Sequence, residues 1–195
     1  MPKLFQAVVL CLALGLPAPT YSSDYDISET ERIVDFYLFY PLASLKTGFT
    51  RTQVGTAGFG VNYYWYIWDR LGVVMNPNAW ILRVRHVPTD DKGLISVIAM
   101  EGGLSFRFFP KNYFDPTLSA LGGFGRAGTT ASNMGSKMVF PLSGRLGANL
   151  YRTQERFGDP TLALHAFGAA KYYLSQHGSF KPLVFEFGLA FRGSF

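Results

Sequence analysis

The sequence predicts an all-β fold, an eight-stranded antiparallel transmembrane up-and-down β-barrel, and three observations predict it. First, hydrophobic residues make up 48% of the chain and aromatics 16%, yet no apolar run beyond residue 16 reaches the roughly 18 residues of a membrane-spanning helix. Second, that hydrophobicity is spread over eight segments in which apolar and polar or small residues alternate with a period of two. Third, the final segment, residues 181–195, puts Leu183, Phe185, Phe187, Leu189, Phe191 and Phe195 on one face. Val184, Glu186, Gly188, Ala190, Arg192 and Ser194 fall on the other. A strand with lipid on one side and a polar lumen on the other requires this pattern.

The first 23 residues read as a secretory signal peptide: Lys3 is a positive n-region, residues 4–16 an apolar h-region, and residues 17–23 turn polar and small. Cleavage is expected between Ala18 and Asp24, with Ser22 or Ser23 as its last residue. Cys11 follows Leu10, where a lipoprotein signal would carry a small residue, so lipid attachment is not expected. Without Cys11 the mature chain has no thiol for disulfide or redox chemistry. Residues 24–32 form a polar lead-in, in which Ser28 and Glu31 have capping-box spacing, and residues 33–195 form the barrel.

Strand one, 33–41, sets Val34, Phe36, Leu38 and Tyr40 against Asp35, Tyr37 and Phe39, and residues 45–54 are a first outer loop. Strand two alternates Phe59, Val61, Tyr63, Trp65 and Ile67 with Gly58, Gly60, Asn62, Tyr64 and Tyr66, and ends in a tight turn at 68–70. In strand three Leu71, Val73 and Met75 set one phase while Trp80, Leu82 and Val84 set the other. Pro77 between them predicts a bulge or a break. A second outer loop covers 86–93. Strand four sets Leu94, Ile98, Met100, Leu104, Phe106 and Phe108 against Ala99, Glu101, Gly103, Ser105 and Arg107, and Pro110, Lys111 and Asn112 mark its end. Strand five runs over 117–125, followed by a Gly/Thr/Ser-rich third outer loop at 126–137. Strand six alternates Met138, Phe140, Leu142, Leu146, Ala148 and Leu150 with Ser143, Arg145, Gly147 and Asn149, before a turn at 153–160. Strand seven opposes Leu162, Leu164, Ala166 and Tyr172 to Thr161, His165 and Lys171, a fourth outer loop spans 175–179, and strand eight closes the set.

With both termini on the periplasmic side, strands two, four, six and eight end at one rim, at Trp68, Phe109, Tyr151 and Phe195, near Tyr113 and Phe114. Such clustering predicts an aromatic girdle. Eight strands enclose an interior that side chains fill. Expected inside are Asp35, Asn62, Arg83, Arg85, Glu101, Arg107, Arg145, His165, Lys171, Glu186 and Arg192. Bases outnumber acids, so some belong at the rims. Glu101 and Arg107 on strand four, and Glu186 and Arg192 on strand eight, are the expected pairs, giving a lumen network of Glu101, Arg107, Arg145, Glu186 and Arg192. The reading is a plugged barrel.

The apolar-alternating last strand that closes on Phe195 resembles the recognition signal of outer-membrane β-barrel proteins, carried here by Phe187, Leu189, Phe191 and Phe195. The departure is Gly193, where that signal has another large apolar residue. The small size and charged interior resemble the OmpA transmembrane-domain and OmpX type of barrel. The resemblance covers nearly all of the mature chain but rests on pattern, with no specific motif. It implies a monomer in the outer membrane of a Gram-negative-type bacterium, inserted by the barrel assembly machinery. It also implies outer loops that contact lipopolysaccharide, host surfaces or other proteins, without enzymatic activity.

Other chemistries are weaker. The net charge is +5, but basic residues are spread singly along strands, which argues against nucleic acid. His86, His165 and His177 are scattered, so no metal site is expected. Gly122, Gly123 and Gly125 lack a following Gly-Lys-Ser or Gly-Lys-Thr, so no phosphate-binding cofactor is expected. His177 and Ser179, with Glu186, resemble the His-x-Ser element and later Glu of outer-membrane lipid A deacylases. Phe180 replaces the family's asparagine, and Glu186 lies closer than in the family pattern. A third resemblance is to OmpW-like barrels, which pass small hydrophobic molecules through a lateral opening; here an interruption at 76–78 would supply it.

Overall fold

The structure is a computed structural model that describes residues 31–44, 53–85, 92–110, 113–129, 136–153, 161–175 and 183–194. Eight strands are formed: β1 (Arg32–Ser44), β2 (Gln53–Tyr66), β3 (Leu71–Arg85), β4 (Lys92–Arg107), β5 (Thr117–Thr129), β6 (Lys137–Arg152), β7 (Thr161–Ser175) and β8 (Leu183–Ser194). Each is antiparallel to its chain neighbours, and β1 pairs with β8 to close the barrel. Closure removes the free sheet edge, whose unpaired N–H and C=O groups hydrocarbon cannot solvate.

The stagger of the wall can be read from its register. Val34 leads through Tyr63, Met75, Gly102, Gly122, Leu142, Tyr172 and Leu183 back to Ser44 on β1, ten residues beyond the start. With ~3.3 Å per residue along a strand and ~4.8 Å between strands, this shear tilts the strands by roughly 40°.

The alternation sorts side chains as the sequence predicts. Leu38, Phe59, Ile98 and Phe191 point outwards and are 63–73% exposed, and between the rims the charged side chains on the described outer face are Arg83 and Arg126, both towards one rim. An apolar surface this continuous fits hydrocarbon, since soluble monomers rarely expose such patches. Trp68, Phe109, Tyr113, Phe114 and Tyr151 are exposed at the rim where β1 begins and β8 ends, the near rim, and form the expected girdle. Tyr113 donates a hydrogen bond to the Leu150 carbonyl and meets Tyr151 edge-on, which fixes part of that girdle. Inside, Tyr37 and Phe39 are accommodated because β2 carries glycine opposite each. A Cβ at Gly60 would overlap the Tyr37 hydroxyl, and one at Gly58 would overlap the Phe39 ring.

Three expectations are corrected. β3 runs unbroken through Pro77, and the opposite phase of Trp80 and Leu82 arises because they are apolar residues facing the lumen. Proline faces outwards there and stays paired with Met100, while the β2 ladder skips Val61 and Asn62 opposite Pro77 and Asn76, then resumes in register. Lacking an N–H, proline removes rungs without bending the strand. Bulges instead lie at Gly55/Ala57 and Asn149/Tyr151. β5 continues to Thr129, so residues 126–129 belong to the wall, Gly128 and its small neighbours tolerated because the ladder to β4 holds them. Arg83 is exposed on the outer face. The Glu31 carbonyl accepts from the Tyr66 N–H and extends the β1–β2 ladder, while its expected capping-box partner Ser28 lies outside the described residues. The signal segment, residues 24–30, Phe195 and the proposed loop residues His177 and Ser179 lie outside the described residues, as does the Arg85 side chain.

Candidate functional site: the filled lumen

The interior is layered along the barrel axis. At the near rim, the turn between β4 and β5 folds over the mouth, held by Phe108 N–H to Pro116 O at 2.9 Å and Asn149 N–H to Phe114 O at 2.8 Å. It presents Asp115, whose φ of 31° is a left-handed conformation that non-glycine residues seldom adopt. The Arg107 guanidinium binds the Asp115 carboxylate at 2.5 and 2.8 Å, pairs with Glu31, and donates to the Pro110 carbonyl at 3.0 Å. A cavity of about 10 Å³ among Glu31, Arg107, Asp115, Asn149 and Arg192 has room for about one water.

Above this mouth lies the closing seam. Asp35 on β1 and Arg192 on β8 are register partners, joined by two hydrogen bonds of 2.8 and 3.0 Å. The strand pair that completes the barrel is therefore clamped by a bidentate ion pair. His165 and Asn149 make a 3.1 Å hydrogen bond beside it.

The middle layer is built around Lys171. Its ammonium lies 2.8 Å from both Glu101 and Glu186, and all three side chains are 0% exposed. Glu101 also accepts from Asn78 at 2.6 Å and Ser143 at 2.8 Å. Glu186 is held by charge alone, since neither oxygen takes a well-directed hydrogen bond, and its second cation, Arg145, stands 3.8 Å away. Arg145 is fixed by Asn62 at 2.8 Å and by the rings of Tyr37 and Phe167, at 4.6 and 4.5 Å. Asp35, Glu101 and Glu186 balance Arg145, Lys171 and Arg192, so the buried core of the lumen is neutral. That balance matters because a lone charge there would cost several kcal/mol, about 3–5 if one partner of a pair is removed.

Towards the other, far rim the lumen turns apolar. Trp80, Leu82, Val97, Val139, Tyr173 and Val184 are all buried and belong to one cluster, and the Trp80 indole donates to the Tyr173 hydroxyl at 2.7 Å. The polar file rising from the mouth thus ends under a greasy plug. A larger hollow, about 400 Å³, lies on the outer wall around Leu118, Gly144, Leu146, Gly168 and Phe187, facing the hydrocarbon and not the charged interior.

Asp35, Asn62, Glu101, Arg107, Arg145, His165, Lys171, Glu186 and Arg192 lie inside as the alternation predicts, but the expected pairs are replaced. Glu101 and Glu186 share Lys171, Arg107 binds Glu31 and Asp115, and Arg192 binds Asp35. The reason is distance: inward residues six apart on one strand are roughly 20 Å apart, beyond side-chain reach. Asp115 and Asn78 are participants that the sequence reading did not identify; Asp115 precedes Pro116 in the turn, but nothing local says it folds inwards. Glu186, the deacylase-like candidate carboxylate, is committed to two cations in the lumen. Phe187, Leu189 and Phe191 all face outwards. Among the described residues no three His, Cys, Asp or Glu side chains cluster as metal ligands would.

An apolar outer wall, a shear of ten and a charge-balanced, filled interior define a small transmembrane β-barrel. The same fold is seen in Ail, the attachment invasion locus protein of Yersinia pestis, solved with the heparin analogue sucrose octasulfate: 16% identity over 84% of this chain and 99% of that one, TM-score 0.55. It is also seen in the outer membrane protein OprG of Pseudomonas aeruginosa, with 14% identity over 86% and 97% and a TM-score of 0.54. Neisserial surface protein A gives 13% over 83% and 95%, with a TM-score of 0.53. No protein-family model and no curated protein matches the sequence.

Proposed function

We propose that this chain is a monomeric, non-enzymatic protein of a Gram-negative-type outer membrane. It is exported by residues 1–23 and inserted by the barrel assembly machinery through Phe187, Leu189, Phe191 and Phe195. Its role is at the cell surface, where the barrel holds outer loops against lipopolysaccharide, host surfaces or other proteins. The observation that carries this reading is the lumen: among the described residues its axis is occupied by neutral ion pairs centred on Lys171, beneath a plug of Trp80, Leu82 and Tyr173. The barrel is a scaffold and not a pore. The binding of a sulfated polyanion by the similarly folded Ail supports a surface-contact role. Passage through a lateral opening at 76–78 is the weaker reading, because β3 is continuous there and fully paired with β4, and only the β2 rungs at Asn76 and Pro77 are missing.

The test combines fractionation with planar-bilayer recording. The chain is expected in the outer-membrane fraction, and the purified barrel is expected to give no conductance steps. Steady single-channel steps, or small-solute uptake into vesicles, would overturn the scaffold reading in favour of transport. Loss of acyl chains from lipid A on expression, abolished by His177→Ala, would overturn it in favour of the hydrolase.

A further inference from the structure

The apolar rule of the outer wall breaks in one sector near the far rim. Arg83 on β3, Ser96 on β4 and Arg126 on β5 face outwards and are exposed. They lie among the apolar rungs, not beyond them: Arg83 is paired with Leu94, and Arg126 with both Ile98 and Met138. Ser96 lies between Ile81 and Gly128 in register, and its hydroxyl leans over Gly128, where a Cβ would stand 3.4 Å away. On β1, β6, β7 and β8 the same band presents Leu42, Met138, Leu174 and Leu183. Arg126 donates to Ser136, and no acid among the described residues pairs with either guanidinium.

A guanidinium on a hydrocarbon-facing wall is costly unless it rises to the interface and meets an anion there. Both arginines stand towards the far rim, so each long side chain can rise along the wall to the interface. With one strand between them and a four-residue offset along it, from Leu94 to Ile98, their backbones are on the order of 16 Å apart across the wall. The geometry points to Arg83, Ser96 and Arg126 as a seat for lipid phosphate in the outer leaflet, each guanidinium taking one phosphate by charge-assisted hydrogen bonds and Ser96 contributing a donor between them. A lipid with two phosphates on one rigid headgroup, as in diphosphorylated lipid A, fits two separated cations better than a lipid with one. This rests on the outer-membrane reading and narrows it to particular residues.

The test uses the full mature chain refolded into phosphatidylcholine vesicles. The vesicles carry no added lipid, diphosphorylated lipid A, lipid A stripped of phosphate, or phosphatidylglycerol, and thermal unfolding is followed by gel mobility. Diphosphorylated lipid A is expected to raise the midpoint by several degrees and the stripped lipid to leave it unchanged. Arg83→Gln with Arg126→Gln should lose most of that rise while unfolding normally in phosphatidylcholine, and the double lysine variant should keep part of it. An equal rise with phosphatidylglycerol would keep the phosphate seat and make ordinary phospholipid its occupant. A full rise in the double glutamine variant, or from stripped lipid A, would overturn the proposal. Because every arm uses refolded protein, the result is independent of where the chain resides in the cell.

Discussion

Lys171 separates two carboxylates that would otherwise face each other in a fully buried space. Its 2.8 Å contacts to Glu101 and Glu186 tie together β4, β7 and β8, so one side chain joins distant parts of the wall. Lys171→Met is expected to cost about 3–5 kcal/mol in urea unfolding from vesicles, because it leaves buried charge uncompensated. Replacing the trio as Glu101→Gln, Lys171→Met and Glu186→Gln should recover most of that loss. A single-variant cost under about 1 kcal/mol would show that the trio is not held as described. Inward placement of these residues was legible from strand parity alone. Their partners were not, because pairing across a lumen depends on the ten-residue stagger, which emerges only when all eight registers are combined.

Among the elements, β8 shows how far a strand is determined by its own residues. Its outward Phe185, Phe187, Leu189 and Phe191 are all exposed, and Val184, Glu186, Ala190 and Arg192 are buried. Leu189→Arg, which places a charge on the lipid face, should cost about 2–4 kcal/mol near the bilayer middle and less towards a rim. Removing Phe195 separates assembly from stability: outer-membrane yield in cells should fall, while the refolded barrel should unfold at an unchanged urea midpoint. An unchanged yield would remove Phe195 from the assembly signal. β3 was harder to read because Trp80 and Leu82 are large apolar residues that serve the lumen plug, so hydrophobicity stopped reporting which face meets lipid. The end of β5 was hidden for a different reason: Arg126 to Thr129 has the composition of a loop, and only pairing with β4, and with β6 at Arg126 and Ala127, makes it wall.

For the whole molecule, the two ends of the lumen are closed by different physics. The near mouth is covered by a turn pinned through Arg107 and Asp115, and the far half is packed with apolar side chains. Trp80→Ala with Tyr173→Ala should thin the plug and produce conductance that the parent barrel lacks, with selectivity set by the exposed Lys171 trio. Silence in that variant would mean that the middle layer seals the axis on its own. The fold class was legible in the sequence because a wall between lipid and ion pairs imposes its pattern on every strand. The occupied mouth was not, because it depends on how the turn carrying Asp115 folds back.

The most direct measurement is to refold the purified mature chain in parallel into lipid vesicles and into buffer without any amphiphile, and compare heat-dependent gel mobility and sheet content. A compact, heat-modifiable barrel should form only with lipid, and the chain in buffer should aggregate. A monodisperse, folded protein in plain buffer would contradict the account, since the exposed apolar wall could not then be made for hydrocarbon.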